Sequence, residues 1–251
     1  MSEIPDSMTE QTLAIYRSAL TSLREAGVPF LVQGAWAVSS YTGLTRYTKD
    51  IDVAVRPEHV DATCRALEAA GFTIQHCATH WLSKALAGDE FVDIIYGFGN
   101  GLACVDDEWF AHARDEEVLG IAVQIAPAEE ILWSKAFIME RERFDGADVA
   151  HLIHDTDGRL DWQRLLRRFG PHWRVLLAHL VLFGYVYPGR ADLVPTWVMN
   201  ELLDRLQRRL QAPDAGNRLC RGTLVSRQFE VDVNSRGYED ARPPGARPTD
   251  P

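Results

Sequence analysis

The sequence predicts an α+β fold: a mixed β-sheet flanked by helices over residues 1–126, a helical bundle over 127–211, and a mobile tail over 212–251. Two observations carry this. Before Ile125, short apolar runs with strand character alternate with segments of helical period; after Pro127 the pattern is helical, broken at Asp145-Gly146, Asp157-Gly158, Gly170-Pro171 and Pro188-Gly189. The tail follows from composition, since Pro, Arg, Asp and Gly dominate from Ala212 onward.

In order along the chain, Leu13, Tyr16, Leu20 and Leu23 recur at helical spacing between Thr9 and Glu25, and Gly27 ends the run. Phe30 to Gln33 reads as a strand and Ala35 to Thr42 as a helix closed at Gly43. Asp50 to Arg56 reads as a buried strand, followed by a helix that Pro57 starts and Gly71 ends. Phe72–Gln75, His80–Ala87 and Glu90–Tyr96 are strands, the last two a hairpin across Gly88-Asp89, and Ile121–Ile125 is one more. Pro127 opens a helix with acids in its first turn, where Ile131, Leu132, Ile138 and Met139 share a stripe that contains Lys135. Within the tail, Thr223–Val233 alternates apolar and polar residues and reads as a docked strand.

Composition narrows the classes. A hydrophobic content of 46% with seven tryptophans predicts a packed core. No apolar run is long enough for a bilayer, and the acidic start MSEIPDSMTEQ lacks the parts of a signal peptide, so a cytoplasmic location with no membrane partner is expected. Cys64, Cys77, Cys104 and Cys220 form no Cys-x-x-Cys pair and read as reduced thiols. A net charge of −10 opposes nonspecific nucleic-acid binding. The arginines at 164, 167, 168, 205, 208 and 209 read as a solvated face, with a local basic groove as the alternative.

Chemistry concentrates in two runs, Leu31-Val32-Gln33-Gly34-Ala35-Trp36 and Thr48-Lys49-Asp50-Ile51-Asp52-Val53. A strand that ends in glycine and turns into a helix offers backbone amides to a phosphate. Asp50 and Asp52 alternate with Ile51 and Val53, so both acids share one face of their strand. A carboxylate inside an apolar strand needs a partner, which makes Asp93, within Glu90–Tyr96, a third candidate metal ligand. Asp50 alone also fits a turn or cap position; Asp52, between Ile51 and Val53, does not.

Gly34-Ala35-Trp36-Ala37, then Arg46 through Val53, then Asp93, resembles the nucleotidyltransferase superfamily of the DNA polymerase β type, over about residues 28–97. The resemblance implies a nucleotidyltransferase-like mixed sheet with a helical domain appended. It implies transfer of a nucleoside monophosphate from an NTP to an acceptor hydroxyl, with Mg²⁺ or Mn²⁺ and release of pyrophosphate. Asp50, Asp52 and Asp93 would be both metal ligands and catalytic residues, Asp93 also accepting the hydroxyl proton. Gly34, Ala35, Arg46 and Thr48 would contact the nucleotide, whereas Lys49 reads as a solvated loop residue. Ala35 stands where the family usually has Gly or Ser, and the spacing from Gly34 to Asp50 is long.

In the helical half, Lys135 on an apolar stripe is a candidate phosphate ligand. Lys135, the basic segment Arg141–Arg143 and Asp148 resemble the later motifs of AbiEii-type nucleotidyltransferase toxins, which adds Asp148 to the nucleotide contacts and a cognate antitoxin to the partners. Asp145 and Asp148 equally fit an N-cap and the third position of a helix. The acceptor stays open. A toxin-like enzyme would modify RNA or protein; the Trp36 and Asp-Ile-Asp stretches also resemble aminoglycoside and lincosamide nucleotidyltransferases, which act on small molecules. A degenerate member that binds nucleotide or a partner without turnover is the alternative from another class.

Overall fold

The computed structural model describes residues 8–45, 48–211 and 218–247. They cluster into two compact units, Met1–Ile131 with Pro243–Pro251, and Leu132–Arg242.

The first unit begins with α1 (Glu10–Glu25), capped by the Thr9 hydroxyl, which accepts from the Thr12 amide at 3.1 Å. Its helical stripe is buried as the periodicity predicts: Leu13, Tyr16, Leu20 and Leu23 are at most 3% exposed. Then follow β1 (Leu31–Gln33), α2 (Gly34–Thr42), β2 (Ile51–Ala54), α3 (Val60–Ala69), β3 (Thr73–Ala78), β4 (Leu82–Ala87), β5 (Glu90–Ile95), α4 (Asp107–Ala111), β6 (Arg114–Val118) and β7 (Ile121–Ile125). The seven strands form one mixed sheet in the order β3-β4-β5-β2-β1-β7-β6, flanked by helices. β2 lies between its antiparallel neighbour β1 and its parallel neighbour β5. Central strands read as apolar because they are covered: Leu31, Val32, Ile51, Val53, Val92 and Ile94 are all fully buried.

Two elements of the first unit have no counterpart in the sequence reading. β6, Arg-Asp-Glu-Glu-Val, is an edge strand whose charges guard the open side of the sheet rather than signal a loop. α4 is a short helix that Asp106 caps, accepting from the Glu108 amide at 3.1 Å. Pro57 starts a turn of 3₁₀-helix, and α3 begins at Val60.

The second unit holds most of α5 (Ala128–Ala136), then α6 (Gly146–Asp155), α7 (Trp162–Phe169), α8 (Trp173–Val186) and α9 (Thr196–Gln211). Its core includes Leu152, Leu165, Phe169, Leu176 and Val198, all fully buried, with Phe137 stacked on Phe169 at 5.8 Å. α5 stops at Ala136, so Ile138 and Met139 do not extend its stripe; Met139 instead bridges to Phe144 in an extended turn. Arg164, read above as part of a solvated face, is only 3% exposed on α7.

Beyond residue 217, β8 (Leu219–Cys220), α10 (Glu230–Arg236) and β9 (Glu239–Asp240) are formed, with β8 parallel to β9. Thr223–Val233 is not a strand. It is a series of helical turns, because Ser226 caps one turn through the Gln228 amide and acids stand at the start of α10. Among the described residues, no helix is long and apolar enough to cross a membrane.

Candidate active site

The site is built where β1 gives way to α2. Gly34 has φ +64°, a left-handed conformation that L side chains rarely adopt. It also has a steric reason to be glycine, since a Cβ here would overlap the Asp52 carboxylate. The pairing that causes this is explicit: Gln33 lies opposite Asp52 in the β1–β2 ladder. Gln33 occupies the N-cap of α2 and makes no side-chain capping bond. The amides of such a first turn are what a phosphate takes up.

On the other side of β2, parallel pairing sets Asp52 directly beside Asp93 of β5. Asp50 immediately precedes β2 and shares the parity of Asp52. One carboxylate oxygen from each of Asp50, Asp52 and Asp93 lies within 4.8 Å of the others, and all three residues are half-buried. This is the one group of His, Cys, Asp or Glu side chains among the described residues placed to hold a metal ion. Three hard oxygen donors of this kind match Mg²⁺ or Mn²⁺ better than a softer ion. Burial raises the Asp93 carboxyl above its ordinary range, the Asp50 charge adds to this, and the Lys84 hydrogen bond and charge only partly oppose it. The acids therefore suit a cation that would offset their mutual repulsion.

Supporting side chains hold the acids in place. The Thr48 hydroxyl donates to Asp50 Oδ1 at 2.6 Å, and Trp36 Nε1 donates to the Asp50 carbonyl at 3.2 Å. Tyr16 donates its hydroxyl to the Lys49 carbonyl at 3.0 Å. Burial and the nearby Glu90 carboxylate push the Tyr16 hydroxyl well above its usual range, so it stays a donor. Lys84 of β4 lies opposite Asp93, with Nζ 2.7 Å from Asp93 Oδ1 and 3.7 Å from the centre of the Phe91 ring.

Lys84, Tyr16 and the Trp36 indole are site residues to which the sequence reading assigned no role. Lys84 left one signal, a charge at the parity of Leu82 and Leu86 on its strand. Tyr16 left none, since it reads as one more apolar position of α1. Among the predicted nucleotide contacts, Gly34, Ala35 and Thr48 lie around the acids: Gly34 against Asp52, Ala35 next to it in α2, Thr48 bonded to Asp50. Arg46 lies outside the described residues.

Within the second unit, Lys135, Asp145 and Asp148 form a charged cluster. Lys135 is buried, its Nζ 2.9 Å from Asp145 Oδ2 and 2.7 Å from Asp148 Oδ2. Asp145 does stand at the N-cap of α6, but it makes no capping bond. Its oxygens instead accept from Lys135 and from Arg143, whose Nε and Nη2 lie at 3.0 and 2.9 Å. Burial alone would raise the Asp145 carboxyl, but these two cations outweigh it and hold it below the ordinary range. His154 Nδ1 lies 2.6 Å from Asp155 Oδ1.

Residues 16–92 match the family model of aminoglycoside-2''-adenylyltransferase, a span of less than half the chain. No curated protein matches. Similar solved structures include the antibiotic-resistance factor ANT(2'')-Ia, at 17% identity and TM-score 0.44, over 74% of this chain and 97% of that one. Lincomycin-bound LnuA, a lincosamide antibiotic adenylyltransferase, matches at 18% identity and TM-score 0.41, over 58% of this chain and 96% of that one. JHP933 from Helicobacter pylori matches at 14% identity and TM-score 0.43, over 82% and 99% respectively. These are distant likenesses. The adenylyltransferase family model lies over the segment that carries Gly34, Asp50 and Asp52, so the likeness to nucleotidyltransferases rests on the part of the chain that builds the acid cluster.

Proposed function

We propose that this chain moves a nucleoside monophosphate from an NTP to a hydroxyl of a small-molecule acceptor, using Mg²⁺ or Mn²⁺ held by Asp50, Asp52 and Asp93. The observation that carries the reading is the meeting of these three carboxylates within 4.8 Å, against the Gly34 turn. The first turn of α2, with Gly34 and Ala35, receives the triphosphate; Thr48 orients Asp50 rather than adding a separate anchor. Asp93 is positioned to take the acceptor hydroxyl proton. The acceptor oxygen then forms its bond to the α-phosphorus as the bond to the bridging oxygen breaks and pyrophosphate leaves. Bound divalent ions supply charge stabilisation at the α-phosphate and at the leaving group. The remainder of the rate comes from holding donor and acceptor in line.

A small acceptor is supported by the family model over residues 16–92 and by the net charge of −10, which disfavours a long polyanionic acceptor such as RNA and favours a cationic one. Lys135 and Asp148 are assigned to the architecture of the second unit, since the lysine charge is already met by two carboxylates.

The test is transfer of α-labelled phosphate from an NTP panel, with Mg²⁺, Mn²⁺ or chelator, into polyhydroxylated amines, cell RNA and protein. Metal-dependent label in the small molecules, abolished by Asp52→Ala, is the expected result. Label in RNA or protein would instead support the toxin-like reading and its cognate antitoxin. NTP binding without pyrophosphate release would indicate a degenerate binder.

A further inference from the structure

α8 is apolar almost all round, yet only one side of it is covered. Trp173, Leu176, Leu177, Leu180 and Phe183 are buried against the second unit. Along the opposite side, Val181 is 57%, Leu182 42%, Tyr185 83% and Val186 55% exposed, and Ala178 is exposed with them. Isolated exposed apolar residues need no explanation, but a continuous stripe two turns long does. Its positions 174, 178, 181 and 185 are spaced by four, three and four residues, the spacing of a helix–helix seam.

We infer that this stripe pairs α8 with α8 of a second copy of the chain, antiparallel, in a two-fold symmetric contact. Alternating seam positions of antiparallel helices face one another, so residue i meets residue 359 − i. Ala178 then faces Val181 of the other copy, small against branched. Arg174, exposed at the start of the helix and now 4.4 Å from the centre of its own Trp173 ring, faces Tyr185 of the other copy. A guanidinium over a phenol ring is an attractive pair, and the electronegative C-terminus of the partner helix lies beside it. In a parallel arrangement the two Arg174 side chains would instead meet. Between Arg174 and Arg190 the chain has no other Lys or Arg, and its net charge is −10, so an anionic bilayer is a poor occupant. A single pair of two-turn stripes is small beside the roughly 800 Å² per partner of a standard interface, so a weak, concentration-dependent dimer is the expectation.

Sedimentation velocity of the whole chain from about 5 to 300 μM tests this. The wild type should shift from monomer to dimer, and Val181→Glu, at an exposed position, should weaken association at least roughly tenfold with its circular dichroism unchanged. Arg174→Glu and Tyr185→Lys should each weaken the dimer, and the double variant should restore it by pairing opposite charges. A wild type monomeric at the highest concentration, or a dimer indifferent to Val181→Glu, overturns the proposal. So does flotation with phosphatidylcholine–phosphatidylglycerol vesicles that Val181→Glu abolishes. A double variant no better than the singles overturns the antiparallel register. None of these outcomes depends on catalytic activity.

Discussion

At Gly34 one missing side chain does two things: it permits the left-handed turn into α2, and it leaves room for the Asp52 carboxylate. Gly34→Ala should therefore lose activity by roughly a hundredfold, the cost of an acid displaced by about an ångström, with a stability loss of about 1–2 kcal/mol from the positive φ. Steady-state kinetics beside a urea melt separates the two effects. Lys84 is the second informative residue. Its Nζ lies 2.7 Å from Asp93 Oδ1, so it holds the carboxylate that also belongs to the three-acid cluster. Lys84→Met should reduce kcat/KM about tenfold while the fold is retained, and Lys84→Arg should recover part of it, since a hydrogen bond to a charged group is worth about 1.5–3 kcal/mol. An unchanged kcat/KM in Lys84→Met would reduce this lysine to a surface ion pair.

Among the elements, α5 and α6 are joined by charge. Asp145 has its carboxyl held low by Arg143 and Lys135, so the folded state binds a proton less readily there than the unfolded chain. That contribution is complete above the ordinary carboxylate value and is lost as pH falls through the lowered one. His179 on α8 acts earlier on the acid side. Burial lowers its imidazole below 6.5, and its Nε2 lies 2.9 Å from the Ala136 carbonyl. Between its lowered value and 6.5 the unfolded chain binds more protons, so stability falls as pH drops below about 6.5. Denaturant midpoints between pH 7.5 and 5 should decline in the wild type and decline less in His179→Gln. Equal slopes for the two proteins would contradict this assignment.

For the whole molecule, the acid cluster links folding to metal. A divalent ion that binds only the folded state stabilises it by RT ln(1 + [L]/Kd), about 1.4 kcal/mol at ten times Kd. Saturating Mg²⁺ should raise the thermal midpoint by a few degrees in the wild type and leave Asp52→Ala unmoved, as differential scanning fluorimetry would show. Much of this site was legible one residue at a time. Asp52 between Ile51 and Val53, Asp93 within its strand, and glycine at a strand end are local patterns, and local geometry is what periodicity reports. The charged strand β6 was not legible, because an edge position inverts the usual apolar signal.

From the sequence alone came the identity of the acids, the faces they share along each strand, and the change from sheet to helices after Pro127. Tertiary structure alone decided that Asp52 lies beside Asp93, that Lys84 holds one oxygen of that acid, and that Lys135 spends its charge on Asp145 and Asp148. The reason is physical: strand register and ion pairing join residues far apart in the chain, and such pairings depend on how elements pack rather than on their own sequence.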